Sequence, residues 1–342
     1  MKRLVFASTK PNSGKTSLIV GIAKALGKTV GYAKPLGDRL LYKKKRQWDY
    51  DSAVVVSQLE LTQDPETMTI GFEHSKLRYM YDDDGIREKL GELVKSVGDQ
   101  DVLCVETGCT LNYGVSVFLD SASVAKSVDG EMVVVVSGTD DEIVDDITFL
   151  KRYSEVTGAK LRGVIVNKVR DKADFMDAHM PTVEEVGVPV LGVVPYREEL
   201  TYLATSYLAD KLFAKVLAGE SSLNSMIKHI VVGAMSVDEA MNTSAFKEEA
   251  KLVITSGDRA DMVLASIDTK ASAVVLTGNI LPPGNIIARA NEAGVPLLLV
   301  KSDTFAVAKQ IDDMQPLLTR EDVPRGNFLA GLVKEHIDLE KI

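Results

Sequence analysis

The stretch that most constrains this chain is residues 3–21, Arg3-Leu-Val-Phe-Ala-Ser-Thr-Lys-Pro-Asn-Ser-Gly-Lys-Thr-Ser-Leu-Ile-Val-Gly. A short apolar strand, Leu4 to Ala7, leads into a tight polar loop, and an apolar helix begins near Thr16. Strand, loop and helix with Gly-Lys-Thr at the last junction is the context of a phosphate-binding P-loop. Successive backbone N–H groups of such a loop converge on a concave anion site. The N-terminus of the following helix adds the positive end of its dipole. Lys15 then sets a charge against β- and γ-phosphates, and the Thr16 hydroxyl ligates Mg2+. Thr9, Lys10, Asn12, Ser13, Gly14 and Ser17 complete the expected cradle. One position departs from the pattern G-x-x-x-x-G-K-[ST], because Thr9 stands where it has its first glycine. The alternative is an ordinary strand-to-helix turn that happens to contain Gly-Lys-Thr.

Composition limits the rest. A length of 342 residues suggests two domains. The net charge of −9, with no basic domain, argues against nucleic acid as a partner. No apolar run is long enough to span a bilayer. Leu4–Ala7 is too short for a signal peptide and runs straight into the loop, so the chain is expected to be cytoplasmic. The cysteines, Cys104 and Cys109, give no disulfide framework, and Cys104 reads as a small core residue inside an apolar strand. The four histidines are scattered and read as structural or surface groups.

A second strand starts at Thr29 and carries Lys34 near its end. Lysine is seldom buried without a partner, so Lys34 suggests an anion contact; the alternative is a lysine snorkelling off an edge strand. Lys43-Lys44-Lys45-Arg46 is either a solvated loop or a mobile lid over an anionic ligand. Asp49 to Ala53 opens an apolar helix running to about Leu61, with Asp51 as a natural N-cap. Residues 62–82 read as a loop. Three acids, Asp82 to Asp84, suit the start of a helix from Gly85 to Val97. Asp101 to Glu106 is a continuous apolar strand ending in an acid, and ligands bind beyond such carboxyl ends. Glu106 is therefore the candidate to face a metal. Strands at 132–136, 161–169 and 188–195 alternate with a helix at 140–157, which predicts a doubly wound parallel sheet. A helix from Glu198 to Leu217 and a linker edge near Gly219 are expected next. Further strands at 229–235, 251–256, 273–278 and 295–300 alternate with helices and predict a smaller α/β domain. The expected domains are 1–220 and 222–342.

Ser8 to Thr16 resembles the P-loop of dethiobiotin synthetases and cobyrinic acid a,c-diamide synthases, and the former also have threonine at the first glycine position. Lys10 stands where the ParA and MinD type of deviant P-loop carries its signature lysine; its role here is open. The resemblance implies ATP and Mg2+ as cofactors. It implies that Asp51, Glu106 and Thr16 reach the metal, and that Lys34 contacts the reacting phosphate and carboxylate beside Lys15. It also implies that Asn167 hydrogen-bonds the adenine edge, where the alternative is a turn-capping asparagine, and that Pro195 lines the base. Glu106-Thr107-Gly108-Cys109-Thr110 departs from Val-Glu-Gly-Ala-Gly of dethiobiotin synthetases, which changes the substrate-side loop. The second half resembles the DRTGG domain, through Asp258-Arg259-Ala260-Asp261, Leu276-Thr277-Gly278 and Lys301-Ser302-Asp303-Thr304. The pair resembles the N-terminal half of long phosphotransacetylases and stand-alone archaeal proteins. No residues remain for an acyl-transferring domain, so phosphotransacetylase activity is not expected of this chain alone.

Two functions follow from that resemblance. One is a nucleotide-binding regulatory module that passes its state through the DRTGG domain, which would self-associate as a homodimer and bind a small anionic ligand. Asp258 would cap a helix there, Arg259 would offer donors or pair with a nearby carboxylate, and the apolar segments 262–267 and 286–288 would cover the partner subunit. The other is an ATP-dependent enzyme activating a small carboxylate through Lys15 and Lys34. The altered loop after Glu106 and the attached domain favour the first.

Overall fold

The computed structural model describes residues 1–43 and 46–342. Lys44 and Lys45 of the basic run lie outside the described residues. The chain divides into two compact units, Met1–Arg197 with Arg320–Ile342, and Glu198–Thr319.

The first unit is built on a six-stranded sheet. Its strands are β1 (Lys2–Ser8), β2 (Val30–Ala33), β5 (Val102–Glu106), β6 (Glu131–Val136), β7 (Leu161–Val169) and β8 (Val190–Pro195). They lie in the order β2-β5-β1-β6-β7-β8, and every pair is parallel. The strands are near-continuous apolar runs because helices cover both faces. Val5, Leu103, Val105, Met132, Val134 and Val164 are among the fully or almost fully buried side chains of one face. Cys104 is buried as expected, and burial pushes its thiol up to about 12. The order reverses across β1, since β5 lies on one side and β6 on the other, and that is where open α/β sheets bind ligands. A hairpin of β3 (Leu40–Lys43) and β4 (Arg46–Asp49) follows β2 and leads into α2 (Tyr50–Gln58).

The C-terminal segment belongs to this unit. The helix Val323–His336 packs along α1 (Lys15–Leu26) and buries Leu329, Leu332 and Val333. Gly21 permits the approach. A Cβ there would lie 2.8 Å from Val333 Cγ2 and 3.0 Å from the Leu329 carbonyl oxygen. The tail then meets the open edge of β8, where Asp338 N–H donates to the Leu191 carbonyl at 2.8 Å.

The second unit carries one small two-stranded sheet, β9 (Leu203–Ala204) with β11 (Met226–Ile227), and a five-stranded sheet. That sheet comprises β10 (Lys215–Ala218), β12 (His229–Val232), β13 (Lys251–Ser256), β14 (Ala273–Thr277) and β15 (Leu297–Leu299) in the order β10-β15-β14-β13-β12. Only β10 runs antiparallel.

Three expectations change here. Residues 198–217 are not one helix: Glu198–Leu200 is a 3-10 turn, Thr205–Lys211 a two-turn helix, and Lys215–Ala218 a strand. Phe213, at a positive φ of 50°, ends the helical path, and β10 pairs with β15 instead. The boundaries at 220 and 222 put residues 198–220 with the first domain and 320–342 with the second, whereas sheet pairing and helix packing join each to the other unit. Of the apolar segments 262–267 and 286–288, Met262, Val263, Ile267 and Ile286 are buried in the unit's own core, which leaves Leu264 and Ile287, both half-buried, as the large apolar residues able to face a partner. Among the described residues no helix is long and apolar enough to cross a membrane.

Candidate functional site

The loop between β1 and α1 turns twice through left-handed backbone, at Asn12 (φ 59°) and Gly14 (φ 98°). Glycine takes that region freely and asparagine tolerates it better than most residues. β7 secures the loop. Asn167 Nδ2 donates to the Ser13 carbonyl at 2.8 Å, and Lys168 Nζ donates to the Asn12 carbonyl at 2.7 Å. The Asn167 amide is therefore a brace of the P-loop, and its predicted adenine contact would have to use its remaining donor or its oxygen. Ser13 Oγ donates to the Lys10 carbonyl at 2.8 Å, which tightens the loop from within.

Lys15 is buried at the first turn of α1, and its ammonium donates to Ser8 Oγ at 2.8 Å. Burial pulls the Lys15 pKa below lysine's usual value, against the opposing pull of the Glu106 charge. Thr16 Oγ1 donates to Glu106 Oε1 at 2.8 Å, and Tyr32 Oη donates to Oε2 of the same carboxylate at 2.9 Å. Glu106 ends β5, beside β1, so the sheet itself fixes this contact. Burial raises its pKa to about 7; the Asp51 charge adds to the rise, while Lys34 and Lys15 oppose it. Ser17 lies in the same first turn of α1, and Pro195 ends β8.

Two of the loop's side chains, Thr9 and Lys10, turn to a neighbouring helix. Thr9 Oγ1 donates to Asp146 Oδ2 at 2.7 Å, and Lys10 Nζ pairs with Glu142 Oε1 at 3.0 Å. Both acids lie on the helix Asp140–Thr157. Thr9 and Lys10 thus offer the cradle their backbone, while their side chains hold it against that helix.

Lys34 sits in a cage of acids. It is 1% exposed, and its ammonium lies 2.5 Å from Asp38 Oδ1, 2.5 Å from Asp51 Oδ2 and 3.4 Å from Asp49 Oδ1. Burial works against its charge, but Asp51, Asp49, Glu106 and Asp38 outweigh burial and hold its pKa well above the usual value. This is no snorkelling edge lysine. Asp51 is not the helix cap either. Asp49 is the cap, and its Oδ1 accepts from the N–H groups of Asp51 at 3.0 Å and Ser52 at 3.1 Å. The preceding acid had already satisfied those donors, which leaves the Asp51 carboxylate for Lys34 and Arg39. Burial pushes the Asp51 pKa up, but Lys34 and Arg39 pull it below the usual aspartate range.

The donor set fits a hard divalent ion. The Thr16 hydroxyl and the Glu106 carboxylate adjoin at the lip of the anion cradle, and Mg2+ takes oxygen ligands of this kind, usually only one or two from carboxylates. Asp51 fits less directly, because both of its oxygens already face cations. Tyr32, Asp38, Arg39 and Lys168 carry no sequence signal of a site, and the Ser8 hydroxyl is marked only as the first position of the P-loop match. Tyr32 and Ser8 lie in apolar strands, where periodicity suggests only packing.

In the second unit, Arg259 itself takes the N-cap position of the helix Ala260–Asp268, with no side-chain cap, so Asp258 does not cap it. Arg259 pairs with Asp261 at 3.3 Å and also donates to the Met235 carbonyl at 3.0 Å.

A parallel sheet reversing at β1, with a lysine-closed loop on a helix N-terminus at that point, defines a P-loop α/β protein. The profile of the family described as AAA domain matches residues 2–203, more than half of the chain, and the chain belongs to that family. A DRTGG domain matches residues 207–314. The phosphate acetyltransferase of Pseudomonas aeruginosa is 26% identical over 373 residues, covering 99% of this chain and 51% of that protein. The chain spans about half the length of the curated relatives it matches over nearly its whole extent. The cobyrinate a,c-diamide synthase of Methanocaldococcus jannaschii is 24% identical over 208 residues, 58% of this chain and 41% of that one. Among solved structures, the MinD cell division protein of Aquifex aeolicus is 17% identical, with a TM-score of 0.36 over 58% of this chain and 84% of that chain.

Proposed function

We propose that the first unit binds Mg-ATP in its P-loop and that the chain is a nucleotide-responsive regulatory module, related to the N-terminal region of phosphate acetyltransferases. The observation that carries this reading is the junction of Lys15, Thr16 and Glu106, where a buried ammonium, a hydroxyl and a carboxylate meet at a helix N-terminus. An anion and a divalent ion together complete the charges there, and phosphoryl chemistry asks chiefly for positioning and charge neutralisation. Thr16, Glu106 and, after exchange of its present partners, Asp51 would hold the metal. The DRTGG unit would carry the response through self-association as a homodimer and through a small anionic ligand, in a cytoplasmic protein. Exposed Phe305, Leu281 and Ile280, rather than the buried residues named above, supply apolar surface for that contact.

A second reading, ATP-dependent activation of a small carboxylate, draws support from the cobyrinate a,c-diamide synthase relative and from Lys34. Lys34 is already held by three acids, so it would have to exchange partners to serve a substrate, which favours the regulatory reading.

The test is calorimetric titration of the full chain with Mg-ATP. Lys15→Ala is expected to weaken binding by more than tenfold, on the order of 2 kcal/mol for one lost charge-assisted contact. Unchanged affinity would show the site to be misassigned. Steady phosphate release that requires an added carboxylate would favour the enzyme reading.

A further inference from the structure

We propose that Arg39 senses the terminal phosphate of a bound nucleoside triphosphate, exchanging its present acceptors for that phosphate when Mg2+ claims Asp51. The inference rests on the Mg-nucleotide reading above and assigns a residue that no motif marks.

Two acceptors now divide the guanidinium. Nη1 lies 3.2 Å from Asp51 Oδ1, and Nη2 donates to Asn12 Oδ1 at 2.8 Å. One acceptor belongs to the carboxylate that would turn to a metal. The other belongs to the loop that would enclose the phosphates. Arg39 therefore spans the two parts of the site that an incoming Mg-triphosphate changes together.

Its stem is fixed while its head is accessible. The Arg39 backbone N–H donates to Asp49 Oδ2 at 3.3 Å, and its carbonyl accepts from Tyr50 N–H at 2.8 Å. Asp49 is fully buried, and the same carboxylate caps α2 just before Asp51. One acid thus sets the positions of both Arg39 and Asp51. The Arg39 side chain is 34% exposed, so its head has room to turn.

Chemistry supplies the direction of exchange. A divalent ion drawing on Asp51 removes the charge that now holds Nη1. A terminal phosphate offers acceptor oxygens that a planar guanidinium engages two at a time, a match that lysine lacks. A diphosphate lacks that terminal group, so Arg39 would keep Asp51 and Asn12 as its acceptors. The residue then distinguishes triphosphate from diphosphate occupancy. Because Arg39 directly precedes β3, the exchange also acts on the β3–β4 hairpin.

The experiment measures the affinities of Mg-ATP and Mg-ADP for the full chain, for Arg39→Ala and for Arg39→Lys, with a thermal melt of each. Arg39→Ala is expected to weaken ATP by about tenfold or more and ADP by less than about twofold, so that the preference for ATP collapses. Arg39→Lys keeps the charge without the fork and is expected to fall between; its ATP-to-ADP ratio decides the question should the alanine variant fail to fold. Equal weakening of ATP and ADP would reduce Arg39 to a structural tie and overturn the proposal while leaving the nucleotide site intact. Unchanged ATP affinity would overturn it as well. Binding of neither nucleotide by the unaltered chain would overturn the underlying reading along with it.

Discussion

Glu106 is where residue chemistry is most exposed to measurement. Its pKa rises from 4.5 to about 7 in the fold, with burial the largest cause. Between those values the folded chain keeps a proton that the unfolded chain has released. Folding therefore takes up a proton in this window, and stability falls as pH rises through it. The effect is on the order of 3 kcal/mol. Asp51 moves the other way, and its contribution is lost only as pH falls below the usual aspartate range. In metal-free buffer, Glu106→Gln is expected to gain thermal stability relative to the parent as pH goes from 5 to 8. A difference in melting temperature that stays flat over that range would place the proton elsewhere. The acid was legible in the sequence as the end of an apolar strand. Its proton was not, because that depends on burial and on Lys34, Asp51 and Lys15, which come from other elements. The Lys34 cage was half legible: a lysine in an apolar strand demands a partner, but three partners spaced 4 to 17 positions away in sequence give no periodic signal.

Elements were readable where one physical cause dominated them. β1, β5, β6, β7, β13 and β14 are buried on both faces and stand out as apolar runs. In the segment 198–217 the spacing of Leu200, Leu203, Leu208 and Leu212 suits a helix, while the pairing that makes Lys215–Ala218 a strand comes from residues 297–299. The contact of α1 with the C-terminal helix was equally hidden, since Gly21 looks merely like a weak spot in a helix. In an exposed helix, Gly21→Ala would stabilise by about 1 kcal/mol through propensity alone. Here the added methyl meets Val333 and a backbone carbonyl, so the helices must part. Overpacking of this kind typically costs about 1–3 kcal/mol. Gly21→Ala is therefore expected to lower the melting temperature of the P-loop unit, and a rise would show that the two helices do not pack closely in solution.

At the scale of the whole molecule, the second unit begins at Glu198 rather than beyond Gly219, because β10 closes the edge of its sheet. A fragment of residues 198–319 is expected to melt cooperatively on its own. A fragment of residues 222–342 lacks β10 and carries a helix whose apolar face belongs on α1, and it is expected to aggregate or melt broadly. Light scattering of the 198–319 fragment over a range of concentrations tests the proposed homodimer directly; a monomer throughout would remove self-association from the functional reading.

The return of residues 320–342 to the first unit has a consequence for biosynthesis. α1 is synthesised before the whole of Glu198–Thr319, yet the helix that packs on it is synthesised after that unit. Domains generally fold as units during synthesis. On the ribosome, Glu198–Thr319 can reach its fold while the earlier unit still waits for its closing helix. α1 thus keeps a strip around Gly21 uncovered while Glu198–Thr319 is made, and the unit begun first is completed only after the second has been synthesised.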